Sequence, residues 1–310
     1  MSRSPVTIFV LTLLCFGSIA RAQVTNTAMT IADAFLLTGS TNYEGGADLT
    51  GLNFGAAGTL AIAPASSAKG EFQSVIKFDL AAGVALFNAT YGSNNWSVTG
   101  ISLELTSNYG VAGVQPNNPI FNSISGGQFV IEWLADDNWA EGTGDPSNPT
   151  TDGVTYNSLP VLLAAAREAL CTNLYAPPGN NFHVTWPLPL TANLLADIVA
   201  GGEVTFRFYA ADSRVGYLFN SHDYGRGNEP LIHVVAAPLL KILSGTLARD
   251  GFLLIGAGSP NTAYQVQTSS AMPAAHWEVL GMAVADSAGS LQFNDSGAAT
   301  NAHRFYRLAK

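Results

Sequence analysis

Charge is scarce in this chain, and positive charge is scarcest. Charged residues make up 11% of the 310, with 13 Lys+Arg against 22 Asp+Glu. Between Lys77 and Arg167 there is no Lys or Arg, but there are eight acids. Phosphate recognition needs clustered basic side chains, so nucleic acid is a poor partner, and cations or neutral sugars suit this surface better. Cysteine is almost missing. Cys15 lies in an apolar leader and Cys171 is then alone, so no disulfide can close within the mature chain. Cys171 is left free or pairs between chains, and stability has to come from the core, with or without a bound ion. The five histidines, His183, His222, His233, His276 and His303, show no H-x-H or H-x-x-x-H spacing, so a zinc site is not expected. A G-x-S-x-G turn is absent, and Asp145–Asp152 lacks the alternating carboxylates of an EF-hand.

What is present begins with a leader. Arg3 supplies a basic start, Val6–Ala20 an apolar run, and Ala20-Arg21-Ala22 a small-x-small cleavage site. Residues 1–22 read as a Sec-type signal peptide cut after Ala22, which places the mature protein outside the cell or on its surface. The run is short for a membrane span, and no later segment is long and apolar enough to be one. Loss of Arg3 and Arg21 leaves 11 basic against 22 acidic residues, a formal charge of −11.

Hydrophobic residues are 47% of the chain and glycines number 31, a composition suited to many strands joined by turns. Alternation supports this. Ile101, Leu103 and Leu105 alternate with Ser102, Glu104 and Thr106. Phe129, Ile131 and Trp133 repeat the pattern, as do Val204, Phe206 and Phe208. Thr30–Thr38, Thr59–Ala63, Phe72–Leu80, Phe182–Trp186, Val215–Asn220 and Leu231–Val235 also read as strands. A helix is predicted from Ser158 to about Leu170, capped by Ser158 with Pro160 in its first turn and closed by Cys171. A second is predicted over Leu190–Val199, stopped by Gly201-Gly202. Gly39–Gly58 and Val84–Trp96 read as long loops. The expected fold is all-β: an antiparallel, jelly-roll-like β-sandwich over residues 23–237 with one or two short helices, then a smaller fibronectin-like β-sandwich over 238–310.

Several segments together carry a resemblance. They are Ala32-Asp33-Ala34-Phe35, Ser74–Leu80 (SVIKFDL), Trp139–Gly144 (WAEGTG), Gly153–Asn157 (GVTYN), and Tyr217–Asp223 (YLFNSHD) ahead of Pro230-Leu231. In their order and spacing, over about residues 30–236, the chain resembles the DNRLRE (disaggregatase-related) family of extracellular β-sandwich modules. The resemblance implies contact with extracellular polysaccharide such as alginate. The chain departs from the pattern at His222-Asp223, where a basic–acidic pair such as Arg-Glu is usual. Tyr264–Ser269, Trp277, Phe293–Asp295 and Arg304–Arg307 are similar to the small β-sandwich repeats of Verrucomicrobia and Planctomycetes surface proteins, which implies a spacer or adhesion role for the C-terminal domain.

Sugar rings stack on exposed aromatics. Tyr43, Trp96, Tyr109 and Tyr224 fall in predicted loops and are candidate contacts, with Arg226 beside them; Arg226 is equally an ion-pair partner for His222 or Asp223. Trp133, Trp186 and Trp277 fall in strand patterns and read as core, and Trp139 is expected to pin the acidic loop to the sandwich. Calcium takes oxygen ligands, and the candidates for it are Asp33 with Asp79, and Asp136 and Asp137 with Glu141. Ser221-His222-Asp223 holds the residue types of a hydrolytic triad, but neighbours along a strand point to opposite faces. The expectation is a secreted, non-catalytic module that binds extracellular or cell-surface polysaccharide. One alternative is a purely structural or adhesive surface protein. The other is a glycan-cleaving enzyme, which would need two carboxyls facing across a cleft at about 5–9 Å.

Overall fold

The structure is a computed structural model that describes residues 23–40, 47–93, 95–108, 121, 126–175, 182–225, 227–248, 250–287, 289–298 and 304–309. The expected signal peptide lies outside the described residues. The chain divides into two compact units at Ala237/Pro238.

The first unit runs β1 (Val24–Leu37), β2 (Gly39–Ser40), β3 (Ala47–Asp48), β4 (Thr59–Ile62), β5 (Phe72–Asp79), α1 (Ala81–Tyr91), β6 (Trp96–Thr106), β7 (Gly127–Leu134), α2 (Leu159–Leu162), β8 (Arg167–Tyr175), β9 (His183–Leu188), α3 (Ala192–Ala200), β10 (Glu203–Ala210), β11 (Tyr217–Asn220) and β12 (Leu231–Pro238). Its main sheet has the order β8-β7-β10-β5-β1-β12-β6-β9. β1 joins the two halves. Val24–Met29 pairs with β12, and Thr30–Leu37 pairs with β5 after a register shift between Thr30 and Ala32. At that shift the Thr30 hydroxyl donates to the Ala32 and Lys77 carbonyls. Apart from β7 and β8, which are neighbours in one half, successive strands of this sheet alternate between the halves, as in a jelly roll. The fold is the antiparallel β-sandwich that the alternation predicts.

The inward residues of that alternation make the core. Ile101, Leu103 and Leu105 from β6 meet Phe129, Ile131 and Trp133 from β7 and Val204, Phe206 and Phe208 from β10. The other face of the β5–β10–β7 half is also covered. Ala34, Leu36, Val75 and Leu134 pack beneath Val154, Leu159 and Leu162 of the 135–163 segment. On that face a buried polar chain crosses three strands. Arg207 Nη1 donates to Glu132 Oε2 at 2.7 Å, and Arg207 Nε to Gln73 Oε1 at 2.6 Å. Gln73 then donates to Glu71, which also accepts from the Tyr156 hydroxyl.

Two predicted elements differ. The helix expected to Leu170 stops at Leu162, and Arg167–Tyr175 is strand β8, paired along β7. Leu159, Leu162, Leu163, Ala166 and Leu170 fit a helical face, but β7 would then present an unpaired edge, and the ladder outweighs the local period. Cys171 accordingly sits half-buried on a strand. The segment read as the loop Val84–Trp96 begins in α1, which buries Gly83 and Phe87. The second helix forms as α3, capped by Thr191 and ended by Gly201 in the left-handed conformation at φ 72°.

The second unit holds β13 (Lys241–Ala248), β14 (Gly251–Ala257), β15 (Ala263–Ser269), β16 (Glu278–Val284), β17 (Ser290–Asp295) and β18 (Phe305–Ala309). They form two antiparallel sheets, β13-β14-β17 and β16-β15-β18, around Leu254, Tyr264, Val266, Ala283 and Leu291. Trp277 is only half-buried, with the Arg307 guanidinium 4.5 Å from its ring centroid.

Candidate functional site

The acidic segment after β7 is closed on itself by hydrogen bonds. Asp136 accepts from Asn138 N, Asp145 from Ser147 N and Asn148 N, and Asp152 from Thr150 and Thr143. Those bonds hold Asp152 down to about 2. Trp139 fixes the segment to the sheet. Its indole donates to the Thr205 hydroxyl at 3.0 Å, and Lys77 Nζ lies 4.9 Å from its ring centroid while donating to its carbonyl.

The deepest fastening comes from Asn53, which is fully buried. Its amide donates to the carbonyls of Glu141 (2.5 Å) and Val154 (2.8 Å). Its oxygen accepts from Gly55 N (3.1 Å) and Gly144 N (3.0 Å). The backbone must come very close for this. A β-carbon at Gly142 or Gly144 would run into Asn53, and Gly142 also has φ 83°. The WAEGTG and GVTYN text is therefore explained by a backbone wrapped around one asparagine.

With its backbone held in this way, Glu141 points at β1. Glu141 Oε1 accepts from Asp33 N at 2.7 Å, and Asp33 Oδ2 accepts from His222 N at 2.8 Å. His222 opens the single turn His222–Tyr224 after β11. Its Nδ1 lies 3.0 Å from Glu141 Oε1 and 3.6 Å from Asp33 Oδ2. One donor atom from each of Asp33, Glu141 and His222 falls within 4.8 Å of the others, and among the described residues this is the one such group of three. Asp33 is 0% exposed. Burial raises its carboxyl above the usual range and pushes Glu141 up to about 7. The Asp33 carboxylate, with help from Glu141, pushes His222 up to about 9. The His222 ring thus stands between the carboxyl groups of Glu141 and Asp33.

In comparisons with known proteins, no family model and no curated protein matches the chain.

The structure brings some predicted site residues together and separates others. Asp33 and Glu141 meet, but through His222, which a search for spaced histidines passes over. Asp33 and Asp79 do not meet. Asp33 is in register with Ile76, whereas exposed Asp79 is opposite Glu203 and accepts from Ala81 N at the start of α1. Asp137 lies apart, near Thr205, Lys77 and Asp197, and burial pushes it up to about 6. Trp96 differs from the expectation: it is buried, tilted against Phe87 at a centroid distance of 5.0 Å, and bonded through its indole to Asn88, so no sugar can reach its face. Tyr224 is half-buried. Tyr43, Tyr109 and Arg226 lie outside the described residues. The triad types do not assemble, because Ser221 is fully buried and its hydroxyl bonds to nothing. A recess of about 410 Å³ opens beside β1, walled by Phe35, Leu37, Phe54, Phe72, Phe121 and Leu218, with Thr59 and Lys69 also in its lining.

Proposed function

We propose that the chain is a secreted, non-catalytic module with a structural or adhesive role at the outer surface of its cell. The observation that carries this is the use made of the acidic segment. Its carboxylates bond their own loop or turn inward, and Asp33, the acid nearest Glu141, is sealed from solvent. Glycoside cleavage needs two carboxyls that a sugar can enter between, and neither Asp33 nor buried Ser221 is open to one. Among the described residues, no helix is long and apolar enough to cross a membrane. The C-terminal unit supports the adhesive side of the reading. Its edge strands β13 and β16 carry exposed Leu247 (68%) and Val284 (63%), with Leu243 and Met282 beside them. Apolar side chains on an unpaired edge suit lateral pairing with another chain.

The resemblance to DNRLRE modules favours the other reading, in which a polysaccharide is the partner. Incubation of the mature protein with a polysaccharide panel, with and without calcium, tests the proposal. The expected result is no retention and no release of reducing ends. Retention on any polysaccharide would restore the glycan-binding reading, and reducing ends would restore the enzyme.

A further inference from the structure

Among the described residues, the buried side-chain polar atoms without a hydrogen-bond partner include Asp33 Oδ1, on the fully buried acid of this cluster. Two more such atoms, Asn220 Oδ1 and Ser221 Oγ, belong to the residues that precede His222, whose Nδ1 makes its 3.0 Å approach to Glu141 Oε1 without hydrogen-bond geometry. Folded proteins match buried polar groups, so an unmatched oxygen on a fully buried carboxylate marks a place for an ion or a water. The carboxylates are already oriented. Asp33 Oδ2 takes the His222 amide and Glu141 Oε1 takes the Asp33 amide, the kind of support that metal-binding carboxylates receive.

We propose that Asp33, Glu141 and His222 bind one divalent first-row transition-metal ion of the zinc class. The donor set selects it. Calcium takes six to eight oxygens, whereas an imidazole nitrogen with two carboxylates is a zinc-type set. Ligands about 2.1 Å from a tetrahedral ion stand ~3.4 Å from one another. The His222 Nδ1 distances of 3.0 and 3.6 Å bracket that value. The ion would tie β1 to the 135–155 segment and to the turn after β11, whose sequence separations from Asp33 are 108 and 189 residues. This inference does not depend on the surface role proposed above.

The test uses the mature protein stripped with chelator, titrated with Zn²⁺ by calorimetry and with Co²⁺ by absorption, and melted with and without Zn²⁺. The expected result is one ion per chain, cobalt bands of a low-coordinate site, and a higher melting temperature with Zn²⁺. His222→Gln keeps the half-exposed turn and should weaken Zn²⁺ binding about 100-fold or more, at least the loss seen when a metal site's support is removed. Asp33→Asn should do the same if it folds. Glu104→Gln is the control, because Glu104 lies between His183 and His233 in a separate group. It should bind normally. The proposal is overturned if the wild type binds no Zn²⁺, if it prefers Ca²⁺, if His222→Gln binds as tightly as wild type, or if Glu104→Gln is the variant that loses the ion.

Discussion

Replacing Asn53 by Ala is the sharpest perturbation of the first unit. The side chain makes four hydrogen bonds, all to backbone groups, and is fully buried. Truncation leaves two carbonyls and two amides without partners. At about 1 kcal/mol net for each bond, the loss comes to about 4 kcal/mol, and any water entering the gap reduces it. A domain of this size melts ~2–4 °C lower per kcal/mol, so the expected drop is about 8–16 °C. Asn53→Asp separates the two halves of the effect. It keeps the bonds from Gly55 and Gly144 but sets a carboxylate against the Glu141 and Val154 carbonyls, so it should be at least as destabilising. Melts followed by circular dichroism measure the stability. Limited proteolysis below the melt reads the loop, and cleavage within residues 135–155 should accelerate. A stability loss under about 1 kcal/mol, or unchanged cleavage, would refute the claim that one asparagine organises the segment.

Glu132→Ala removes the carboxylate facing Arg207 and leaves a buried guanidinium with Gln73 as its remaining partner on that side. A loss of about 3–5 kcal/mol in chemical denaturation is expected, and an unchanged midpoint would show that the cation relaxes to solvent. Asp137 titrates the other way from a salt-bridged acid. Burial pushes its carboxyl from 3.8 to about 6, so the folded state binds the proton more tightly and this group's contribution to stability falls as pH rises between those values. Asp137→Asn should therefore melt higher than wild type at pH ~8, with the gap closing below pH ~4. A gap that does not change with pH would sink this assignment.

The strands were legible because a sheet face leaves a period of two in the text. Phe129, Ile131 and Trp133 alternate in sequence and are all core. Arg167–Tyr175 was not legible as a strand because its apolar residues also satisfy a helical face, and only the open edge of β7 decides between them. α1 has no strong apolar stripe to announce it, since Phe87 alone of its large side chains is fully covered. At the site, Asp33 and Glu141 could be suspected one by one as oxygen donors. Their meeting with His222 could not, because the register of β1 and the length of two loops determine it. Asn53 stands in a glycine-rich stretch that reads as a plain loop. Its one visible signal is indirect, in the glycines at 142, 144 and 153 that make room for it.

The scarcity of cysteine and charge has a counterpart in how the first unit is held together. A chain without an internal disulfide has to fix long excursions by other means. Here those means are buried polar contacts between segments far apart in sequence. Asn53 reaches Val154 over 101 residues, Arg207 reaches Gln73 over 134, and Asp33 reaches His222 over 189. Each joins a loop or strand to a partner the local sequence cannot select, and each is costly to leave half-made in a low-dielectric interior. Such contacts discriminate between the native arrangement and compact alternatives more sharply than apolar burial, which any collapsed state shares. The acidic segment is the clearest case. Its few carboxylates are placed where a backbone amide, an indole-pinned turn or an imidazole meets them, so they help to close the fold around β1.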